Sequence, residues 1–311
     1  MNKLTRKKLL ITGITGFIGS NLLHELQKED EYDIVCIARK QVSDITTFLL
    51  DLNGASDYSE ALVGVDTVVH LGGMSAVPKG HDKEAFEVNT RATLQLANQA
   101  SQAGVRRFIF VSTAKVLGDI SDVDCGFVES SSPNPSDTYA QSKADAEAGL
   151  LKISADSEMD AFIIRPPLVY GPGGKGSIQM LLKVASKPLP LPLSKALAPK
   201  SVIFVGNLVD LMKCMIDRDK LSAGVYHCQD DRTTSVSDLI LIVRKLKQQP
   251  KLLIPVPVPF LSLPLRILGK NRIMNQLFSA CVIDDRLSRQ RLNWCPRYSL
   301  EDAVQITLEN L

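Results

Sequence analysis

A chain of 311 residues is one large α/β unit or two domains, on a prior of roughly 100–200 residues per domain. Hydrophobic residues are 45% and charged residues 23%, enough to bury a sizeable core, which excludes disorder as the default state. Lys and Arg total 36 against 34 Asp and Glu, and aromatics are 5%, so the balance argues against a coat for nucleic acid or an anionic membrane and against a base-stacking platform.

The basic start, with Lys3, Arg6, Lys7 and Lys8, reads as a solvated tail. The apolar run after it is too short for a signal peptide, and a cytoplasmic protein is expected. Leu9–Thr12, Ile34–Ala38, Thr67–His70 and Phe108–Ser112 have the length and apolar character of strands buried on both faces. Leu22, Leu23 and Leu26 form a helical face after Gly19, and Leu94, Ala97 and Ala100 form another within Ala85–Ala103. Strands alternating with helices predict βαβ units and a parallel sheet. Ala161–Arg165 and Val225–Cys228 are the later strand candidates. Beyond Pro166 prolines cluster, and helical spacing persists at Ser177–Ala185, Asn207–Arg218, Ser235–Gln248 and Ser299–Leu311. This predicts a dinucleotide-binding domain over 1–165 and a smaller lobe over 166–311, with about 201–230 returning to the sheet. Leu252–Leu265 carries no charge, but four prolines interrupt it and it is too short to span a bilayer. It reads as a buried, extended segment, with no stable membrane insertion.

Gly13, Gly16 and Gly19 stand between the first strand and the first helix. A pyrophosphate turn needs glycine three times: for unusual φ, for close approach of backbone to phosphate, and for close helix packing. The helix N-terminus then offers free N–H groups. The adenosine ribose is read about 20 residues further on, at the end of the second strand. Arg39 and Lys40 lie there, with no carboxylate. A guanidinium can pair a 2′-phosphate, so NADP(H) is favoured and NAD(H) is the alternative.

Tyr139 and Lys143 are four apart after Pro135-Ser136-Asp137, a helix start, and so share a helical face. A tyrosine is a poor base near its ordinary pKa of about 10. A neighbouring ammonium and a positive nicotinamide ring favour the phenolate and make the pair a general acid/base. Ser112-Thr113 closes the fifth strand, where a hydroxyl can bond a reacting oxygen.

Together these residues resemble an extended short-chain dehydrogenase/reductase of the NAD-dependent epimerase/dehydratase family, over nearly the whole chain. The resemblance implies a doubly wound Rossmann-type α/β fold with a smaller α/β substrate-binding lobe. Its further marks are Asp51-Leu52, His70-Leu71-Gly72-Gly73, Val88-Asn89-Thr90, the run Arg165 to Pro172, and Asp284 to Trp294. It implies cofactor contacts from Gly13, Gly16, Phe17, Ile18, Gly19, Asp51, Leu52, Leu71, Gly72, Gly73, Asn89, Ser112, Tyr139, Lys143 and Pro166, beside Arg39 and Lys40. Thr113 aligns with the catalytic Ser/Thr. Ser75, Thr113, Ala114, Leu168 and Lys200 fall on the substrate side, Lys200 at a diphosphate.

The departures narrow the chemistry. Dehydratases of this family carry Asp-Glu where Ala114-Lys115 stand, and 3,5-epimerase/reductases carry Cys at the Ala114 position. Many 4-epimerases carry Asn at the Leu168 position. The resemblance thus implies hydride exchange at C4 of a nucleotide sugar, a UDP-hexose or UDP-N-acetylhexosamine. A 4-ketoreductase using NADPH is the leading reading, and a 4-epimerase with retained NAD the alternative. A non-sugar alcohol dehydrogenase or a non-catalytic dinucleotide sensor ranks below both. A homodimer through Ala85–Ala103 and Ser136–Leu151 is usual for such relatives. No metal site is expected, and His70 reads as structural. Ser142 reads as a helix-surface residue, and Lys175 and Arg232 are weak diphosphate candidates.

Overall fold

Short runs of branched and aromatic residues form β1 (Lys7–Thr12), β2 (Tyr32–Ala38), β3 (Thr46–Leu49), β4 (Thr67–His70), β5 (Arg107–Val111), β6 (Asp160–Arg165), β7 (Leu168–Tyr170), β8 (Val202–Phe204) and β9 (Gly224–His227). The computed structural model describes residues 6–257, 259–260 and 271–311. Its chain divides into two units. The first holds the described residues up to Leu117, Ser132–Arg165 and Leu211–Tyr226; the second holds Gly118–Ser131, Pro166–Asp210 and His227–Leu311. The sequence reading placed a boundary at 165 and a return near 201–230. The structure returns over 211–226 and assigns 118–131 to the second unit.

In the first unit the seven-stranded sheet has the order β3-β2-β1-β4-β5-β6-β9. Pairing is parallel for β1 with β2 and β4, β2 with β3, and β5 with β4 and β6. Every residue of β4 and β5 is buried, as strands covered on both faces require. Leu10, Val68, Phe108 and Phe110 are fully buried core side chains. Each contributes on the order of 1.5–3 kcal/mol by leaving water. The order reverses between β1 and β4, and ligands of such sheets bind at the carboxyl ends of the strands at that switch point.

The strands foreseen are all present, with ends shifted by at most two residues. Lys7 and Lys8 belong to β1 rather than to a tail, and Lys7 Nζ donates to the carbonyl oxygens of Ile216 and Asp217. The resemblance implies a third strand before Asp51, but no run located it: β3 is a four-residue edge without a fully buried residue, so its apolar signal is weak.

Helix α1 (Phe17–Leu26) buries Gly19, Leu22 and Leu26 against the sheet. The helix expected over Ala85–Ala103 is three segments: α2 (Asp82–Phe86), a π-helical turn (Glu87–Arg91) and α3 (Ala92–Gln102). Helix α4 (Thr138–Ala155) starts where Asp137 caps it, accepting from Ala140 N at 2.8 Å. Such a cap stabilises by about 1 kcal/mol.

The second unit contains the parallel pair β7–β8, α5 (Ser177–Ala185), the start of α6 (Val205–Asp217), and α7 (Val236–Leu246). Helices Asn271–Phe278, Arg286–Leu292 and Leu300–Glu309 follow. Buried Asp230 ties it together, accepting from Tyr170 Oη at 2.7 Å, Phe204 N at 2.8 Å and Asn207 Nδ2 at 2.8 Å. Burial pushes its carboxyl up to about 6 despite those bonds. The segment from Leu252 was expected to be buried; Leu252 and Ile254 are instead more than 40% exposed. The parts of that expectation at 258 and 261–265 lie outside the described residues.

Candidate active site

The three glycines perform three separate tasks. Gly13 has φ +68°, and a Cβ there would come within 2.6 Å of Gly72 N, so the turn also permits close contact with the loop after β4. A Cβ on Gly19 would lie 2.2 Å from Gly13 O, so the third glycine lets α1 pack onto the turn. Around Gly16 the only close neighbour of such a Cβ is Gly13 O at 3.1 Å, which leaves that side open. Phe17 and Ile18 begin α1 half-buried, and its first turn carries no acidic residue. The positive end of the helix therefore stays uncompensated beside the open glycine.

Beyond the turn, buried hydroxyls and one imidazole fix the loop after β4. Thr93 Oγ1 donates to Asn89 O at 2.8 Å, which uses its only proton. It must then accept from His70 Nε2, 2.9 Å away, so His70 carries its proton on Nε2. His70 Nδ1 accepts from Thr12 Oγ1 at 2.6 Å, and Thr12 Oγ1 accepts from Gly72 N at 3.0 Å. Burial, aided by the charge of Lys143, pushes His70 down to about 3, so the ring stays neutral. Its role here is structural.

Asn89 is fully buried on the π-helical turn. Its Oδ1 accepts from Met74 N at 2.7 Å, and its Nδ2 donates to Met74 O at 3.1 Å and Ser142 Oγ at 2.9 Å. The local widening of the helix lets one amide hold both the loop after β4 and helix α4, a common use of a π turn at a functional site. Ser142 corrects the surface reading. It is fully buried and also donates to Tyr139 O at 2.9 Å. Its position three residues after Tyr139, on the same helical face, was the available signal. A Cβ on Gly73 would come within 2.8 Å of Asn89 Oδ1 and 3.4 Å of Lys143 Nζ. Leu52 packs against Gly72. Buried Tyr58, which sequence reasoning missed, holds the loop around Asp51 by donating to Asn53 O at 3.0 Å.

At the end of β5, Ser112 and Thr113 are buried. Ser112 Oγ has no hydrogen-bond partner among the described residues, an orphaned polar atom at the ligand-binding edge of the sheet. The Thr113 hydroxyl acts on the Tyr139 phenol and draws its pKa down. Lys143 Nζ donates to Val111 O at 3.1 Å and lies 4.4 Å from the Phe110 ring centroid. Burial pushes Lys143 down to about 8, against the upward pull of Glu147. The lysine together with a bound nicotinamide ring was expected to draw the tyrosine down. Burial instead pushes Tyr139 up to about 12, with the Thr113 hydroxyl lowering it and Asp137 raising it. The phenol of the free protein is therefore protonated at neutral pH, and a positive charge bound beside it would favour the phenolate.

The depressed lysine gives a stability signature. Between pH about 8 and 10.5 the unfolded chain holds the Lys143 proton while the folded chain has released it, so this residue makes stability rise with pH across that window. Urea midpoints of the wild type should therefore rise there relative to Lys143→Met. Parallel curves for the two proteins would refute the assignment.

Among the other site candidates, Arg39 and Lys40 are exposed directly after β2. Asp51 and Ser75 are exposed, Leu71 is half-buried, and Ala114 is buried in the turn after Thr113. Lys115, where dehydratases carry a carboxylate, is 3.3 Å from Asp137 Oδ2 and supports the cap of α4. In the second unit Pro166 is buried and Leu168 exposed. Lys200 is buried, with Nζ donating to Ser279 O at 2.6 Å. Arg232 pairs with Glu301 at the surface. Among the described residues no group of His, Cys, Asp and Glu could hold a metal ion, and no helix is long and apolar enough to cross a membrane.

A glycine-turned parallel sheet with a hydroxyl at the end of its fifth strand and a Tyr/Lys pair on the next helix defines a dinucleotide-dependent enzyme of the extended short-chain dehydrogenase/reductase class. The model of the NAD dependent epimerase/dehydratase family matches residues 9–228, and the chain belongs to that family. It is 32% identical to a UDP-glucose 4-epimerase of Vibrio cholerae, over 97% of this chain and 95% of the relative. It is 25% identical to the Escherichia coli O157:H7 N-acetyl-alpha-D-glucosaminyl-diphospho-ditrans,octacis-undecaprenol 4-epimerase, over 82% and 77% of the two chains. Among solved structures, a UDP-glucuronic acid 4-epimerase from Bacillus cereus in complex with NAD superposes with a TM-score of 0.78, at 20% identity, over 97% of this chain and 98% of the other. A UDP-N-acetylglucosamine 4-epimerase from Bacillus cereus gives 0.79 at 18% identity, over 98% and 99%. At such identities these structures corroborate the fold alone.

Proposed function

We propose that this protein exchanges a hydride at C4 of a UDP-hexose or UDP-N-acetylhexosamine, and that the net reaction is 4-epimerisation. The observation that carries the reading is Tyr139, whose phenol feels the Thr113 hydroxyl, one helical turn from Lys143 on α4, with no carboxylate at 114 or 115. A single acid/base fits oxidation and reduction of one carbinol; elimination of water would need further proton carriers. The full-length similarity to a UDP-glucose 4-epimerase supports the same conclusion.

The open side of Gly16, the bare N-terminus of α1 and the orphaned Ser112 hydroxyl fit a dinucleotide. When bound, it supplies the hydride acceptor and a positive ring charge beside the phenol. Thr113 orients the C4 oxygen, and Tyr139 takes its proton during oxidation and returns it during reduction. Lys143 stabilises the phenolate. Asn89, Ser142 and the Thr12–His70–Thr93 chain hold these groups rigid, which keeps the reacting atoms in register. Leu168 and Lys200 are proposed substrate-side residues.

Purified protein incubated with UDP-glucose and no added cofactor is expected to form UDP-galactose, with NAD recovered on denaturation. Failure across a panel of UDP-sugars would overturn the epimerase reading. Arg39, Lys40 and the missing acidic residue favour a second reading, a 4-ketoreductase using NADPH. It predicts NADPH consumption with a UDP-4-keto sugar. In that case Arg39→Ala weakens NADPH binding about tenfold to a hundredfold while sparing NADH, the range expected for a charge-assisted hydrogen bond. Equal losses for both cofactors in a fluorescence titration would sink that reading.

A further inference from the structure

The near-zero net charge conceals a segregation. Pro166–Val209 contains Lys175, Lys183, Lys187, Lys195 and Lys200 and no acidic residue. Leu239–Pro257 contains Arg244, Lys245, Lys247 and Lys251, again with none. These 63 residues carry +9. The other 248 hold 27 basic and all 34 acidic residues, or −7.

The second unit brings the two segments side by side. Helix α5 packs against α7. Leu191 N donates to Leu252 O, and Ile254 N to Leu191 O, each at 2.9 Å, so the two proline-rich runs lie alongside one another. Buried Arg244 donates to the carbonyls of both Leu189 and Pro250, and Gln249 Nε2 donates to Ser186 O at 2.6 Å. Lys183, Lys187, Lys195, Lys245, Lys247 and Lys251 remain exposed. So do Met180, Leu189, Leu197, Leu252 and Ile254, between 41% and 69% accessible.

We propose that this face of the second unit docks on an anionic lipid bilayer. Its cations are attracted to the headgroups, and its aliphatic side chains enter the boundary between headgroup and acyl chain. The two aromatics of these segments, Tyr170 and Phe204, are both buried, so the face offers no ring for stacking bases. Pro188, Pro190, Pro192, Pro255 and Pro257 have no N–H, which makes the extended runs poor templates for a further protein strand. A substrate diphosphate does not account for six exposed lysines on two helices and two extended runs. The net charge of +2 hides such a surface because it sums both signs over all 311 residues.

The test is co-sedimentation of the full chain with vesicles of phosphatidylglycerol and phosphatidylcholine against phosphatidylcholine alone. Binding is expected only with phosphatidylglycerol, and is lost as salt rises from about 0.1 M to about 1 M and screening shortens from about 10 Å to about 3 Å. The triple variant Lys187→Glu, Lys195→Glu, Lys251→Glu should bind at least about a hundredfold more weakly, given about fivefold per surface cation. Its thermal midpoint should match the wild type. Leu189→Ser with Leu252→Ser should weaken binding while leaving the salt dependence intact. Equal sedimentation with both vesicle types overturns the proposal, as does wild-type protein that stays in solution or that binds single-stranded DNA but not vesicles.

Discussion

Tyr139→Phe is expected to lower kcat by about two to four orders of magnitude, the usual range for removing a positioned general acid/base, with little change in KM. The substitution deletes one hydroxyl. It leaves the ring on α4, and the bonds of Asn89 to Met74 and Ser142 do not involve it. Dinucleotide binding and the thermal midpoint should therefore be preserved, which separates loss of chemistry from loss of fold. Turnover of a UDP-sugar near the wild-type rate would remove Tyr139 from the mechanism. Thr113→Val, which deletes the partner hydroxyl, should give a smaller loss in the same assay. Because the Thr113 hydroxyl lowers the phenol pKa, Thr113→Val should also shift the kcat profile to higher pH.

The largest expected effect on stability is at Glu147. Its carboxylate and the Arg165 guanidinium form an ion pair at 2.6 Å, with side-chain exposures of 3% and 5%. Arg165 Nε also approaches both carboxylate oxygens, at 3.0 and 3.2 Å. Removing one member leaves the other charge buried without its counter-ion, which costs about 3–5 kcal/mol. Glu147→Gln should thus lower the melting temperature by about 10 °C. Replacing both members by methionine should restore most of the loss, since a buried pair and a well-packed apolar pair have similar net stability. A double variant no more stable than the single one would show that the pair does not act as a unit. Glu147 also holds the Lys143 ammonium up. Its removal should therefore lower the Lys143 pKa further and move the pH profile of turnover, a readout that damaged packing alone does not produce.

Much of the fold was legible because parallel sheets write their burial into short local runs. Thr67-Val68-Val69-His70 was read with its final bounds because all four residues are buried. The start of α4 was legible because a cap is a local device: Asp137 bonds the amide three residues on. β7 and β8 were missed because three residues carry too little pattern. Ser142 was misread because exposure was inferred from residue type. Its burial depends on Asn89, 53 positions earlier. The tyrosine's lowered pKa was anticipated for a site holding a positive nicotinamide ring; in the free protein burial, with Asp137, raises it.

The sequence by itself determined the glycine turn, the alternation of strands and helices, and the Thr113, Tyr139 and Lys143 set. Each is a local spacing of residue types, and local backbone geometry converts spacing into a face or a turn. Only the tertiary structure decided which polar groups meet inside the molecule. The His70 tautomer, the π-helical turn that aims Asn89, the Glu147–Arg165 pair and the packing of two acid-free segments against each other all link residues distant in the chain. Buried polar and charged groups must be matched wherever the fold brings them, and no periodicity in the sequence records those partners.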